Sequence, residues 1–320
     1  MIYTDETPVR YQNVLPEAVM NEVFDRESVL DAAIQSELMT RSDHISGLRL
    51  AIHLSCIALS VWAAVLLTGT LWIWLAIIVL AFFIGTVFAP FHECCHGTAF
   101  STPMFNRYGA ALTGVLFGVS WRAYREFHFQ HHSDTQDPKQ DPEIMMDPKN
   151  LSPWPRSVWR WLITLSGGPL LFSKLTGLGA CWIPGGTTRF ATLPKAARIE
   201  TQVISMFWWC VMLAALFELP GAMPLLAGFI LGHIVEGLWL TAEHSGCAEG
   251  GSILARTRSV KSNALVRFFL WNMNYHSEHH GWPGVPWHAL PALHQRIGDR
   301  VDIQPGYFRL YRGVLSAQRD

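Results

Sequence analysis

Four apolar stretches, Leu48 to Thr68, Leu71 to Pro90, Val203 to Leu219 and Met223 to Thr241, meet or approach the length that crosses a bilayer, about 20 residues as a helix. Few charges interrupt them. In hydrocarbon every backbone N–H and C=O must be satisfied within its own segment, so runs of this length fold as helices. Gly69-Thr70 and Pro220-Gly221 sit between successive stretches and make two hairpins. Composition agrees: 50% of the residues are hydrophobic and 15% are charged, against about 25% charged in soluble domains. The sequence therefore predicts an all-α integral membrane protein forming one domain over residues 1–320. Its expected parts are an N-terminal cytoplasmic segment (1–45), a first hairpin (48–90), a cytoplasmic and interfacial segment (91–199), a second hairpin (200–243) and a C-terminal cytoplasmic segment (244–320). Gly109 to Trp121 is too short to cross, and Val158 to Phe172 is broken by Gly167, Gly168 and Pro169. Both are expected to lie in the interface or re-enter it.

The hairpin turns carry no Lys or Arg, whereas the other side carries Arg41, Arg107, Arg122, Arg125, Lys195 and Arg198 among others. By the positive-inside rule both termini are expected in the cytoplasm, with a bacterial inner membrane as the expected location. A net charge of -1 gives no electrostatic footprint for nucleic acid. Six cysteines, within spans or on the reducing side, predict no disulfide.

Eight of the fourteen histidines fall in three boxes: His92-Glu-Cys-Cys-His96, His128-Phe-Gln-His131-His132 and His276-Ser-Glu-His279-His280. Residues at i, i+3 and i+4 share a helix face, so each box is a claw for metal. One catalytic zinc takes about three protein ligands, so eight imidazoles overfill a single site and suit two ions. The span assignment puts all three boxes on one membrane face. Cys94 and Cys95 read as small residues packing inside a helix. His92-Glu93-x-x-His96 also fits the zinc protease signature, but that reading leaves two boxes without a role. A transporter is disfavoured because transport sites lie near the midplane.

The boxes, the tract His131-His132-Ser-Asp-Thr-Gln-Asp-Pro, the run His279-His280-Gly-Trp-Pro-Gly-Val-Pro and Leu290-Pro-Ala-Leu-His294 resemble the membrane fatty acid desaturase superfamily. The match covers roughly Phe82 to His294, and the superfamily also includes hydroxylases and carotenoid ketolases. The resemblance implies two iron ions in a non-haem diiron centre, molecular oxygen as co-substrate and an electron donor. Relatives supply a further histidine near the end of the last span, here His244. The implied ligands are His92, His96, His128, His131, His132, His244, His276, His279 and His280. The implied reaction is oxygen-dependent desaturation of a fatty acyl chain or related lipid, with lipid hydroxylation or desaturation of a smaller amphiphile as the alternative. No haem, iron–sulfur or dinucleotide signature is present, so a separate ferredoxin-like donor or a cytochrome with its reductase is expected. Arg122, Arg125, Lys139 and Lys149 are candidates for its docking surface.

Other residues carry narrower expectations. Asn272 stands four before His276 and either holds a water near metal or makes a turn. Glu93, Glu243, Glu278, Asp134, Asp137 and Asp141 are expected to orient imidazole N–H groups. His233 and Glu236, at i and i+3 inside the fourth span, either line a substrate tunnel or pair with each other. His44, His288 and His294 are expected to make surface or turn hydrogen bonds, and His53 to bond within the core. Trp208, Trp209 or Trp239 closing a tunnel would point to a small substrate.

Overall fold

The fold is taken from a computed structural model that describes residues 30–143, 154–183 and 193–318. Residues 1–29 of the expected N-terminal segment, and Lys149, lie outside them. After a short helix α1 (Ala32–Leu38), the Ser42 hydroxyl accepts the Ile45 N–H and caps α2 (Asp43–Leu66). Helices α3 (Ile73–Thr86) and α4 (Phe88–His96) follow as one apolar span over Ile73–His96. Pro90 was expected to end this span, yet it falls in the first turn of α4, where its missing N–H interrupts no hydrogen bond of that helix. The first histidine box therefore lies on the end of the second span rather than beyond it. The remaining spans are α9 (Lys195–Leu216) and α10 (Ala222–His244), making four among the described residues.

Helices α3 and α10 form the centre. A Cβ added to Gly85 would sit 2.5 Å from the Gly232 carbonyl oxygen, and one on Gly228 would sit 2.7 Å from Leu80 Cγ. Small residues thus let the two backbones close, the way helices associate in lipid. Helix α2 packs on α3 and α9 on α10. Trp62, Leu66, Ile78 and Leu213 are exposed on the outer faces of these helices. This is a membrane protein.

Between the hairpins run α5 (Pro103–Phe117), α6 (Trp121–Asp134), α7 (Val158–Leu165) and α8 (Gly168–Ala180). The break expected at Gly167 separates α7 from α8, with Gly167 at φ +64° and pressed against α10. Beyond α10 come strand β1 (Ser259–Val260), helices α11 (Ala264–Phe269), α12 (His276–Gly281) and α13 (Leu290–Ile297), strand β2 (Ile303–Gln304) parallel to β1, and α14 (Tyr307–Ala317). Arg258, fully buried, donates through Nη1 to the carbonyls of Ala242 (2.9 Å) and Ser245 (2.7 Å) and through Nε to Asp302 (3.4 Å). It ties the end of α10, which carries His244, to the C-terminal segment.

Candidate metal centre

All three boxes are helical: His92 and His96 on α4, His128, His131 and His132 on α6, and His276, His279 and His280 on α12. Folding divides them, with His244, into two poles. His92, His96, His128, His132 and His279 converge at one, with a ligand nitrogen from each within 4.8 Å of the others. At the other, His131, His244 and His280 meet, and His276 joins through His244. The rings of His132 and His280 stack between the poles, with centroids 4.2 Å apart.

Nitrogen spacing tests whether these side chains fit metal. Two nitrogens each about 2.1 Å from one ion and at right angles to each other lie about 3 Å apart. The Nε2 pairs His96–His128 (3.0 Å), His128–His132 (3.0 Å), His132–His279 (3.2 Å), His244–His276 (2.8 Å) and His276–His280 (3.1 Å) match that spacing. His92 Nδ1 and Nε2 and His131 Nε2 are buried with no hydrogen-bond partner. Burial and neighbouring imidazoles pull His128, His276, His279 and His280 well below the ordinary histidine pKa. They are neutral, the form that donates to metal. Burial alone would also lower His131, but the carboxylates of Glu143 and Asp141 outweigh it and hold that imidazole up.

Carboxylates and hydroxyls face the rings from outside, and of the described carboxylates Asp141 alone comes within hydrogen-bond distance of a boxed histidine. Asp141 Oδ1 lies 2.9 Å from His131 Nδ1. Glu243 Oε2 is 3.5 Å from His276 Nδ1, and Glu93 Oε1 is 3.9 Å from Nδ1 of both His92 and His279. Glu93 Oε2 also accepts from the Thr98 hydroxyl (2.9 Å) and the Trp287 N–H (3.2 Å). Glu278 differs from expectation: its carboxylate turns away from the boxed histidines to Ser259 and His294. Asp137 accepts N–H groups of Lys139 and Gln140, and Asp134 has no histidine partner among the described residues. Asn272 sits at φ +56° in a turn, outside α12, and donates to the Trp287 carbonyl (3.1 Å). With no helix linking it to His276, the i to i+4 argument for a metal-bound water fails.

Three further groups hold the site. The Tyr124 hydroxyl is 3.1 Å from His128 Nδ1, the Thr135 hydroxyl is 3.2 Å from His280 Nδ1, and Glu143 lies 3.6 Å from His128 and 3.7 Å from His131. Tyr124 stands one turn before His128, a spacing visible in the sequence; Glu143 is reached only through the turn after α6. The remaining histidines stay outside both poles. His44 is exposed, His294 pairs with Glu278, and His288 lies edge-on to Trp287. His53 bonds the Phe83 carbonyl (2.9 Å) in the core. Cys94 and Cys95 are buried and join neither cluster.

Beside the histidines opens a cavity of about 420 Å³, bounded by Phe88, Phe117, Tyr124, Glu143, Leu178 and Leu240 among others. Phe88 meets His92 at 5.5 Å between ring centroids, so the apolar wall runs up to the metal pole. Trp208, Trp209 and Trp239 do not line it. His233 and Glu236 do not pair. His233 Nδ1 bonds the Phe229 carbonyl (2.8 Å), and Glu236 takes Lys174 Nζ at 2.9 and 3.1 Å. A full cation from α8 outcompetes a neutral imidazole one turn away.

Four helices long and apolar enough to span a membrane, with two buried histidine clusters, define a membrane protein built to hold metal. A family model described as fatty acid desaturase matches residues 68–311, and the chain belongs to that family. It is 24% identical over 307 residues to a sphingolipid delta(4)-desaturase DES1-like protein of Oryza sativa subsp. japonica, covering 91% of this chain and 82% of that protein. To the sphingolipid delta(4)-desaturase/C4-monooxygenase DES2 of Mus musculus it is 25% identical over 272 residues, covering 82% and 75%. Beta-carotene 4-ketolase 3 of Haematococcus lacustris is 26% identical over 238 residues, covering 69% and 62%.

Proposed function

We propose that this chain introduces a double bond into a lipid at a histidine-held diiron centre, with hydroxylation of the same carbon as the competing outcome. The observation that carries the reading is the pair of imidazole clusters, five and four strong, against the wall of an apolar cavity. His92, His96, His128, His132 and His279 would hold one iron, and His131, His244, His276 and His280 the other. Imidazole suits iron. Such a centre, once reduced and supplied with O2, provides an oxidant strong enough to take hydrogen from an unactivated methylene. Desaturation then balances as dioxygen, two electrons and two protons combining with the two substrate hydrogens to give two waters.

The chain's own part is to bind, orient and exclude water. Phe88 and Tyr124 bring the cavity wall against His92 and His128, where a methylene could lie within reach of the centre. Placement at a scale of about 1 Å chooses between a second hydrogen abstraction and hydroxyl transfer. The curated relatives act on sphingolipids and a carotene by their names, which supports a lipid or amphiphile here.

Electrons come from a separate donor on this reading. Arg41, Arg107, Arg122 and Arg125 line a cleft that reaches His96, a basic surface suited to an acidic ferredoxin-like or cytochrome partner. The cleft and both termini are assigned to the cytoplasm from the Lys and Arg distribution alone. The test is mass spectrometry of lipids from cells expressing the chain beside a His279→Ala control. A histidine-dependent loss of two hydrogens supports desaturation, and a gain of one oxygen supports hydroxylation. Absence of both products would overturn the reading.

A further inference from the structure

One ion pair lies where a lipid enzyme has least reason to keep one. Lys174 and Glu236 both line the apolar cavity, and their side chains are only 8% and 5% exposed. Ionisable groups within membrane helices are costly, and those that persist usually face a cavity or substrate path. A buried ion pair seldom stabilises a fold more than a well-packed apolar pair would, so stability alone gives little reason to retain it.

Its hydrogen bonding is lopsided. Two contacts from Lys174 Nζ reach the Glu236 carboxylate, and the ammonium sits 3.3 Å from the centre of the Phe117 ring, a cation–π contact. The lysine is therefore well engaged. A carboxylate, however, has about four acceptor sites, and Lys174 is the one hydrogen-bond partner of Glu236 among the described residues. Spare acceptor capacity faces a mostly apolar space, whose other polar lining includes Ser120, Glu143 and Thr201. Phe117 in turn packs on Phe88 (5.1 Å), and Phe88 on His92 (5.5 Å), so the ion pair and the first metal pole share one wall.

We propose that Glu236, held by Lys174, is a specificity-determining residue that accepts a hydrogen bond from a neutral donor on the substrate, a hydroxyl or an amide N–H. An anionic group would meet the Glu236 carboxylate and be repelled, so a free carboxylate or phosphate does not seat there. The inference rests on the lipid-oxidation reading and narrows it: the substrate is an amphiphile that carries a hydroxyl or amide in addition to the oxidised methylene, not a plain acyl chain.

The test compares two probes on the iron-loaded, detergent-solubilised protein by competitive binding: N-octanoyl sphinganine, which carries hydroxyls and an amide N–H, and methyl palmitate, which has no donor. Wild type is expected to prefer the first by about tenfold or more, the weight of a hydrogen bond to a charged group. Because Glu236→Gln alone leaves Lys174 unpaired and can fail to fold, the second variant is Lys174→Met/Glu236→Leu, an apolar pair of similar volume. The double variant is expected to retain iron and lose the preference, whereas Glu236→Gln, whose amide oxygen still accepts a hydrogen bond, is expected to keep part of it. A wild type without preference, or a double variant that keeps it, overturns the proposal. Failure of the broader reading would register separately, as wild type lacking iron or oxidised product.

Discussion

Asp141 holds His131: its Oδ1 lies 2.9 Å from Nδ1, while its Oδ2 accepts the Gln136 N–H at 2.8 Å. The carboxylate is thus fixed by the turn it closes, and it fixes the ring so that Nε2 points to the second histidine pole. Burial raises the pKa of Asp141, but its contacts with His131 and the backbone N–H groups outweigh that and keep it low, so the group is ionised at neutral pH. Removing such a partner typically costs 10–100-fold in metal affinity or activity. Asp141→Ala is expected to lose about that much, with Asp141→Asn recovering part of it; iron titration of the purified variants measures both.

Gly167 and Gly179 make a matched pair for testing the packing of α8 on α10. A Cβ at Gly167 would sit 1.8 Å from the His233 carbonyl oxygen, and the residue already has φ +64°, whereas a Cβ at Gly179 meets nothing within 4 Å. Gly167→Ala is expected to abolish folded protein in detergent size-exclusion chromatography. Gly179→Ala is expected to be neutral or stabilising, by up to about 1 kcal/mol.

Arg258 is the buried clamp at the end of α10. Truncating one member of a buried pair costs about 3–5 kcal/mol, whereas replacing both by apolar groups costs far less. Arg258→Ala should lower the melting temperature sharply, and Arg258→Met/Asp302→Leu should restore much of it. Equal melting of wild type and Arg258→Ala would refute the clamp.

Acid should destabilise the metal-free protein. Burial depresses His128, His276, His279 and His280 below the value of 6.5 that they have when unfolded. Below that pH the unfolded chain binds protons that the folded chain refuses, so stability is full above about pH 6.5 and falls as pH drops toward the folded values. Each histidine contributes at most about 1.4 kcal/mol per pH unit in that window. Thermal melting of the metal-free protein at pH 7.5 and 5.5 checks the sign; metal-loaded protein should respond less.

The four spans and three boxes were legible because hydropathy and helical spacing are local signals. His244 became visible through family resemblance, and the structure brings it 2.8 Å from His276. What stayed hidden depended on contacts between distant segments. Of the two readings of His233 and Glu236, the pairing fails, because Lys174, 62 residues away in sequence, supplies the stronger charge, while Glu236 does line the cavity. Glu278 seemed suited to orient a ring, but α13 and β1 draw it to the opposite side through His294 and Ser259. For Asn272 the turn reading holds and the metal-water reading fails, because helical periodicity does not run through a turn whose residues Trp271 and Asn272 have positive φ. Local spacing sets which face a side chain shares; it does not say what lies opposite.

The most direct test of the central claim is iron content, with Mössbauer spectra, for wild type, His128→Ala from the five-histidine pole and His276→Ala from the four-histidine pole. Two separately held ions predict about two irons per chain in wild type and a loss of about one in each variant, with different residual spectra. A single zinc in wild type, or full iron retained in both variants, would contradict the account.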